Sequence, residues 1–115
     1  MVTTGVLSEC VSLYRRTLLE DVVPFWMRHS IDPTSGALNN CIDDEGNALS
    51  LDRYIWSQGR ALWTFSALCN RVERRPEWLD VARGLFRYLS SNGRDSEGRW
   101  MYRLDLDGNV LERDI

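Results

Sequence analysis

Two tryptophans and an arginine share one helical face in the run Tyr54 to Ser66, which reads Tyr-Ile-Trp-Ser-Gln-Gly-Arg-Ala-Leu-Trp-Thr-Phe-Ser. Trp56, Arg60 and Trp63 fall at i, i+4 and i+7, so both indoles and the guanidinium project from the same side of a helix. Gly59 leaves open space beside them. A guanidinium flanked by indoles can stack on, or hydrogen-bond to, a planar or polyhydroxylated ligand. The same residues also suit a tryptophan-rich core in which the arginine head reaches out to water. Spacing alone leaves both readings open.

The helix that positions these groups is expected over about 52–73, with Ser50 or Asp52 as its cap. Ile55, Trp56, Leu62, Trp63, Phe65, Ser66 and Cys69 are apolar or small on more than one side, which predicts deeper burial than for the neighbouring helices. Upstream, Leu7, Val11, Tyr14, Leu18, Val22 and Phe25 or Trp26 alternate at steps of four and three. That periodicity predicts an amphipathic helix over about 6–29. Pro24 removes a backbone donor inside it and predicts a kink or restart near Val23. Downstream, Arg74-Arg75-Pro76 breaks the chain. Pro76 and Glu77 then open a third helix, about 77–92, with Trp78, Leu79, Ala82, Leu85, Phe86 and Leu89 as its stripe and Asn92-Gly93 as its close.

The segments between the helices are turn-rich and repeat each other. Asp32-Pro33-Thr34-Ser35-Gly36 is turn chemistry, Leu38 to Ile42 reads as a short strand, and Asp44-Glu45-Gly46-Asn47 turns the chain back, giving a β-hairpin over about 36–50. The acidic turn lacks the ordered ligand spacing of a calcium loop and reads as a plain turn. Gly36 to Leu49 carries Gly-x9-Gly-Asn-Ala-Leu, and Gly98 to Leu111 carries Gly-x9-Gly-Asn-Val-Leu, 62 residues later. A second hairpin is therefore expected over about 98–112. One outer amphipathic helix, a hairpin and a more buried helix make the repeating unit of an α-hairpin toroid.

Composition excludes several functions. The 115 residues carry 43% apolar side chains, including five Trp, four Tyr and three Phe, which favours one small folded domain. The net charge of −3 comes from 17 acidic and 14 basic residues with no block of one sign, and every basic residue is arginine. That pattern offers no footprint for nucleic acid or an anionic membrane. Cys10, Cys41 and Cys69 are widely spaced with a single histidine, His29. No metal site is expected, and reduced thiols in a cytoplasmic protein are. No signal peptide or membrane span is evident.

Taken together, Phe25-Trp26-Met27-Arg28-His29-Ser30-Ile31-Asp32, the hairpin with its Asp-Glu-Gly turn, Trp56-Ser57-Gln58-Gly59-Arg60-Ala61-Leu62-Trp63-Thr64-Phe65-Ser66, and Pro76-Glu77-Trp78-Leu79 with Ala82 resemble the N-acylglucosamine 2-epimerase family. That family includes cellobiose 2-epimerases and mannose-type aldose-ketose isomerases. The resemblance runs from Tyr14 onward, and Trp-x-Gln-x-Arg followed by Leu-Trp is its most specific part. It implies a mainly α fold of (α/α)6 barrel type, of which residues 1–115 make an incomplete N-terminal part with about three helices and two short hairpins.

The resemblance also implies chemistry. Family members remove the proton next to a sugar carbonyl, and a fixed cationic donor in a dry pocket stabilises the charge that builds on the carbonyl oxygen. Arg60 matches the arginine expected to polarise that oxygen and stabilise a cis-enediolate. Trp56 matches a sugar-contacting aromatic, Trp63 is a further candidate for substrate binding, and Gln58, pointing away from Arg60 on a helix, is a supporting one. The family's two proton-transferring histidines lie in later repeats, and His29 is not one of them. The resemblance thus implies an isomerase that needs no cofactor, acts on a small sugar, and is inactive as this chain alone. A non-catalytic helical module that binds a partner is the alternative, and apolar stripes on a half-built toroid predict a homo-oligomer in either case.

Overall fold

The structure, a computed structural model, describes residues 3–114. Helix α1 (Thr4–Thr17) runs through a π-helical turn (Leu18–Val22) into α2 (Val23–His29). Thr3 caps its start by accepting the Val6 N–H. Pro24 explains the π turn, because its ring would strike the carbonyl four residues back in a regular helix and it offers no N–H. Widening the turn lets the Val23 N–H bond to the Leu18 carbonyl, and the helix continues.

Two short strands follow, β1 (Cys41–Ile42) and β2 (Ala48–Ser50), paired antiparallel. Strand β3 (Arg53–Tyr54) leads into α3 (Ile55–Ala67), which ends in a second π turn (Leu68–Val72). Helix α4 (Pro76–Asn92) precedes β4 (Arg103–Leu104) and β5 (Val110–Glu112). Strands β3, β4 and β5 form one antiparallel sheet, with Arg53 opposite Leu104 and Tyr54 opposite Arg103. The protein is mainly helical with few short strands. No helix among the described residues is long and apolar enough to cross a membrane.

The 62-residue repeat has a physical basis in both hairpins. Gly36 and Gly98 open them at φ 78° and 81°, and Gly46 and Gly108 close the turns at 92° and 87°. Asp43 Oδ1 accepts the N–H groups of Glu45 and Asn47 while Oδ2 accepts from the Asn47 carboxamide. Asp105 does the same with Asp107 and Asn109. These backbone donors hold both carboxyls below the usual carboxylate range.

The first expected hairpin strand is shorter than its apolar content suggested. Only Cys41 and Ile42 ladder with β2, because Asn39 and Asn40 turn their carboxamides inward to bond Arg53, Tyr54 and Gln58. Helix α3 also begins later than expected. Ser50 accepts the Asp52 N–H and Asp52 pairs with Arg103, so neither caps it. Its first N–H, that of Ile55, donates instead to the Tyr102 carbonyl of the second hairpin.

The main core joins Val23 of α2, Leu38, Ala61, Phe65 and Leu68 of the α3 region, and Trp78, Ala82 and Leu85 of α4. A second cluster sets Ile55, Tyr88 and Leu89 against Met101 and Leu104. The deepest helix is α4, not α3 as its composition suggested: Trp78 and Leu85 are essentially inaccessible, while Trp56 and Trp63 are 58% and 62% exposed. The α1 stripe is uncovered too, and that helix has no buried residue. Its Leu7, Val11 and Tyr14 face solvent.

The loop before β1 lies directly on α4. A Cβ on Gly36 would stand 2.8 Å from the Gly84 carbonyl oxygen, whereas one on Gly84 would stand 3.3 Å from Gly36 Cα. Gly36→Ala is therefore expected to destabilise by about 2–3 kcal/mol through positive φ and overpacking. Gly84→Ala, which gains helix propensity while asking for a small shift, is expected to stay within about 1 kcal/mol of wild type. Paired urea melts test the contrast.

Candidate functional site

Side chains on a helix lean toward its N-terminus, so Arg60 reaches back over the residue one turn earlier. Its guanidinium carbon lies 5.2 Å from the Trp56 ring centre. Among the described residues Arg60 makes no ion pair and no side-chain hydrogen bond, so its donors are free for a ligand. Stacking on an indole holds it in place while leaving those N–H groups available.

Beneath this pair, a groove of about 330 Å³ opens between α2 and α3. Its floor and walls include Trp26, Leu38, Asn40, Phe65 and the Trp56–Arg60 pair. The lining is mostly apolar with a few polar groups, the makeup of small-molecule sites. Trp56 is also a wall of a second hollow of about 570 Å³, bounded by Trp100, Tyr102 and Arg113 of the second hairpin region. The exposed indole thus stands between two cavities.

The other two predicted residues are placed differently. Trp63 does not line the Arg60 groove, and its ring lies 5.7 Å beneath the Arg71 guanidinium. Gln58 is inaccessible to solvent. Its Oε1 accepts the Leu38 N–H at 2.7 Å, and its Nε2 donates to the Leu38 carbonyl at 2.8 Å and to Asn40 Oδ1 at 3.3 Å. Gln58 therefore cannot reach a ligand directly. It acts from behind, imitating a strand partner for Leu38 and fixing the groove floor. His29 is removed from the groove and packs its ring on Phe25 at 4.8 Å.

Sequence reasoning placed Trp26, a groove wall, only in the stripe of the first helix and in the family resemblance, and it singled out neither Asn40 in the groove nor Arg53 behind it. Arg53 is fully buried. It donates to Asp32 at 2.9 Å and to Asn39 and Ser35 at 3.2 Å, with its guanidinium carbon 5.5 Å from the Tyr88 ring centre. This network ties the loop before β1 to the start of α3 and to α4. Burial raises the Tyr88 phenol pKa. The one signal for Asn40 in the sequence is a pair of asparagines interrupting an otherwise apolar strand pattern.

The described residues contain no group of three or more His, Cys, Asp or Glu placed to hold a metal, and Cys10, Cys41 and Cys69 are free. A cation held against an indole at the rim of an apolar groove can bind a polyhydroxylated ligand and stabilise negative charge on its oxygen.

Comparison with known proteins bears on the family and the fold. Over 78 residues the chain is 36% identical to the N-acylglucosamine 2-epimerase of Rattus norvegicus, covering 66% of this chain and 19% of that protein. Its fold is similar to the cellobiose 2-epimerase of Spirochaeta thermophila, with a TM-score of 0.82 and 24% identity over 95% of this chain and 27% of the other. A D-mannose isomerase structure is similar at TM-score 0.71 and 22% identity, over 79% of this chain and 23% of that one. The chain thus spans about a fifth to a quarter of the length of these relatives. Residues 27–114, which include the Trp56–Arg60 pair, the α3 side of the groove and the second hairpin, match the sequence model described as N-acylglucosamine 2-epimerase (GlcNAc 2-epimerase). The chain belongs to the N-acylglucosamine 2-epimerase family.

Proposed function

We propose that this chain is the N-terminal part of an (α/α)6 barrel that epimerises or isomerises a sugar at C2, with Arg60 as its fixed cationic donor. The observation that carries the proposal is the Arg60 guanidinium, stacked on Trp56 at the rim of the groove and, among the described residues, paired with no carboxylate. In the barrel that rim faces the concave side. The sugar's CH-rich face lies on Trp56 while Arg60 meets the carbonyl oxygen. As the C2 proton leaves, charge moves onto that oxygen and a cis-enediolate forms. Returning the proton to the other face of C2 gives the epimer; in a sugar with a C2 hydroxyl, delivering it to C1 while the O2 proton passes to O1 gives the ketose. No cofactor is invoked. Trp63 contributes to the concave wall, and Gln58 supports the site through Leu38.

Both proton-transferring histidines belong, in this reading, to later repeats. The chain alone is therefore expected to leave the C2 proton of D-mannose or an N-acylglucosamine unexchanged in D2O, while a longer protein containing it exchanges that proton. Proton NMR of the sugar reads the result. Exchange by this chain alone, or none by the longer protein across a broad sugar panel, would overturn the proposal.

A second reading, a non-catalytic interaction module, draws on α1. A 14-residue helix without a buried residue gains little from its own packing. Its exposed stripe suits docking onto further repeats or a second copy, with reduced cysteines in the cytoplasm. A homo-oligomer fits either reading.

A further inference from the structure

The hydrogen bonds around Asn40 fix which way its carboxamide faces. Gln58 must present Oε1 to the Leu38 N–H and Nε2 to the Leu38 carbonyl, since the reverse would set donor against donor and acceptor against acceptor. The second Nε2 hydrogen then points at Asn40 Oδ1, which also accepts the Tyr54 N–H at 3.1 Å. Two donors converging on one oxygen exclude the flipped amide. The Asn40 nitrogen is left with two N–H groups that find no acceptor among the described residues. The nitrogen is not fully buried, and Asn40, half-buried, lines the groove below Trp56 and Arg60.

From this we infer that Asn40 is a sugar-binding residue, donating its Nδ2 hydrogens to a hydroxyl of the ligand whose carbonyl oxygen meets Arg60. The inference rests on the proposed sugar site and adds a specificity contact to it. Among the other lining side chains, those of Leu38, Ala61 and Phe65 have no donor, and Thr64 Oγ1 donates to the Arg60 carbonyl. A donor oriented before the ligand arrives loses little conformational freedom on binding. Asn40 also has a structural task through Oδ1, so its variant must keep one function and drop the other. Asn40→Asp does so, since a carboxylate oxygen still accepts from Tyr54 and Gln58 while the Nδ2 donors vanish.

The test is a titration of the 15N-labelled chain with D-mannose and, separately, N-acetylglucosamine, followed by NMR. Reporters are the Asn40 side-chain amide, the Trp56 indole N–H and the Arg60 Nε–H. The Tyr54 backbone amide shows whether the fold around Oδ1 persists. The expected result is a saturable shift of all three reporters with at least one sugar. Asn40→Asp should bind roughly five- to tenfold more weakly, the loss of one hydrogen bond, with the Tyr54 amide unmoved. If Trp56 and Arg60 respond, Asn40 does not, and Asn40→Asp binds like wild type, the Asn40 inference fails and the sugar site stands. If none of the three responds to either sugar, the inference falls together with the sugar-site reading.

Discussion

On the proposed mechanism, Arg60→Ala is expected to reduce C2-proton exchange by a longer protein containing this chain about 10²- to 10³-fold, a loss of about 2.7–4 kcal/mol of transition-state stabilisation. The magnitude is that of removing one oriented donor from an oxyanion-type site, and Arg60 is the cation that the groove presents. The fold should tolerate the change. Arg60 makes no ion pair among the described residues, and its one side-chain partner is the Trp56 ring, a contact worth about 0.5–1 kcal/mol at an exposed site. A large fall in turnover with little change in melting temperature separates a chemical role from a structural one. Arg60→Lys adds a control, because an ammonium keeps the charge but loses the planar fork that both stacks and bonds. It should recover part of the rate and little of the geometry. Equal rates for wild type and Arg60→Ala would remove the arginine from the mechanism.

The features legible in the sequence were those set by local geometry. Trp56 and Arg60 meet because i, i+4 spacing and the lean of helical side chains bring them together. The two hairpins were legible because an Asp-x3-Asn turn closed by a glycine at positive φ has few alternatives. Trp63 shows where that logic stops. It shares the angular face of Arg60, but the arginine leans away from it toward Trp56, and Arg71, from the π turn, stacks on it instead. Periodicity also could not distinguish a tryptophan facing the core from one facing a cavity, so α3 looked more buried than it is. The remainder depended on long-range pairing. The grip of Gln58 on Leu38 spans 20 residues and that of Arg103 on Asp52 spans 51. Arg53 was hidden among scattered arginines, in a stretch whose pattern suggested the first turn of a helix.

Arg53 carries the largest expected effect on stability. Its head is buried with a single carboxylate partner, and Asp32→Ala would leave the guanidinium charge in the core opposite Ser35 and Asn39 alone. Removing one member of a buried pair costs about 3–5 kcal/mol, a large share of what a small domain has. Arg53→Met should cost less, because Asp32 is 19% exposed and keeps the Ser35 hydroxyl and Thr34 N–H as donors. The double variant should then be less destabilised than the sum of the two, as expected for groups in contact. The pair also sets an acid limit. Burial pushes the Asp32 carboxyl up, but the Ser35 hydroxyl, the Thr34 N–H and Arg53 together outweigh it and hold the folded value below the usual one. With the folded pKa depressed, the unfolded chain binds the extra proton first. The contribution is therefore complete above the unfolded value of about 3.9 and is lost as pH falls through the folded value. Urea midpoints measured from pH 7 down to about pH 2 should fall more steeply for wild type than for Asp32→Asn, which has no such proton to take up. Parallel curves for the two proteins would place the acid sensitivity elsewhere. Since this network holds the loop that carries Leu38 and Asn40, a variant that loses it should also lose the groove beneath Arg60.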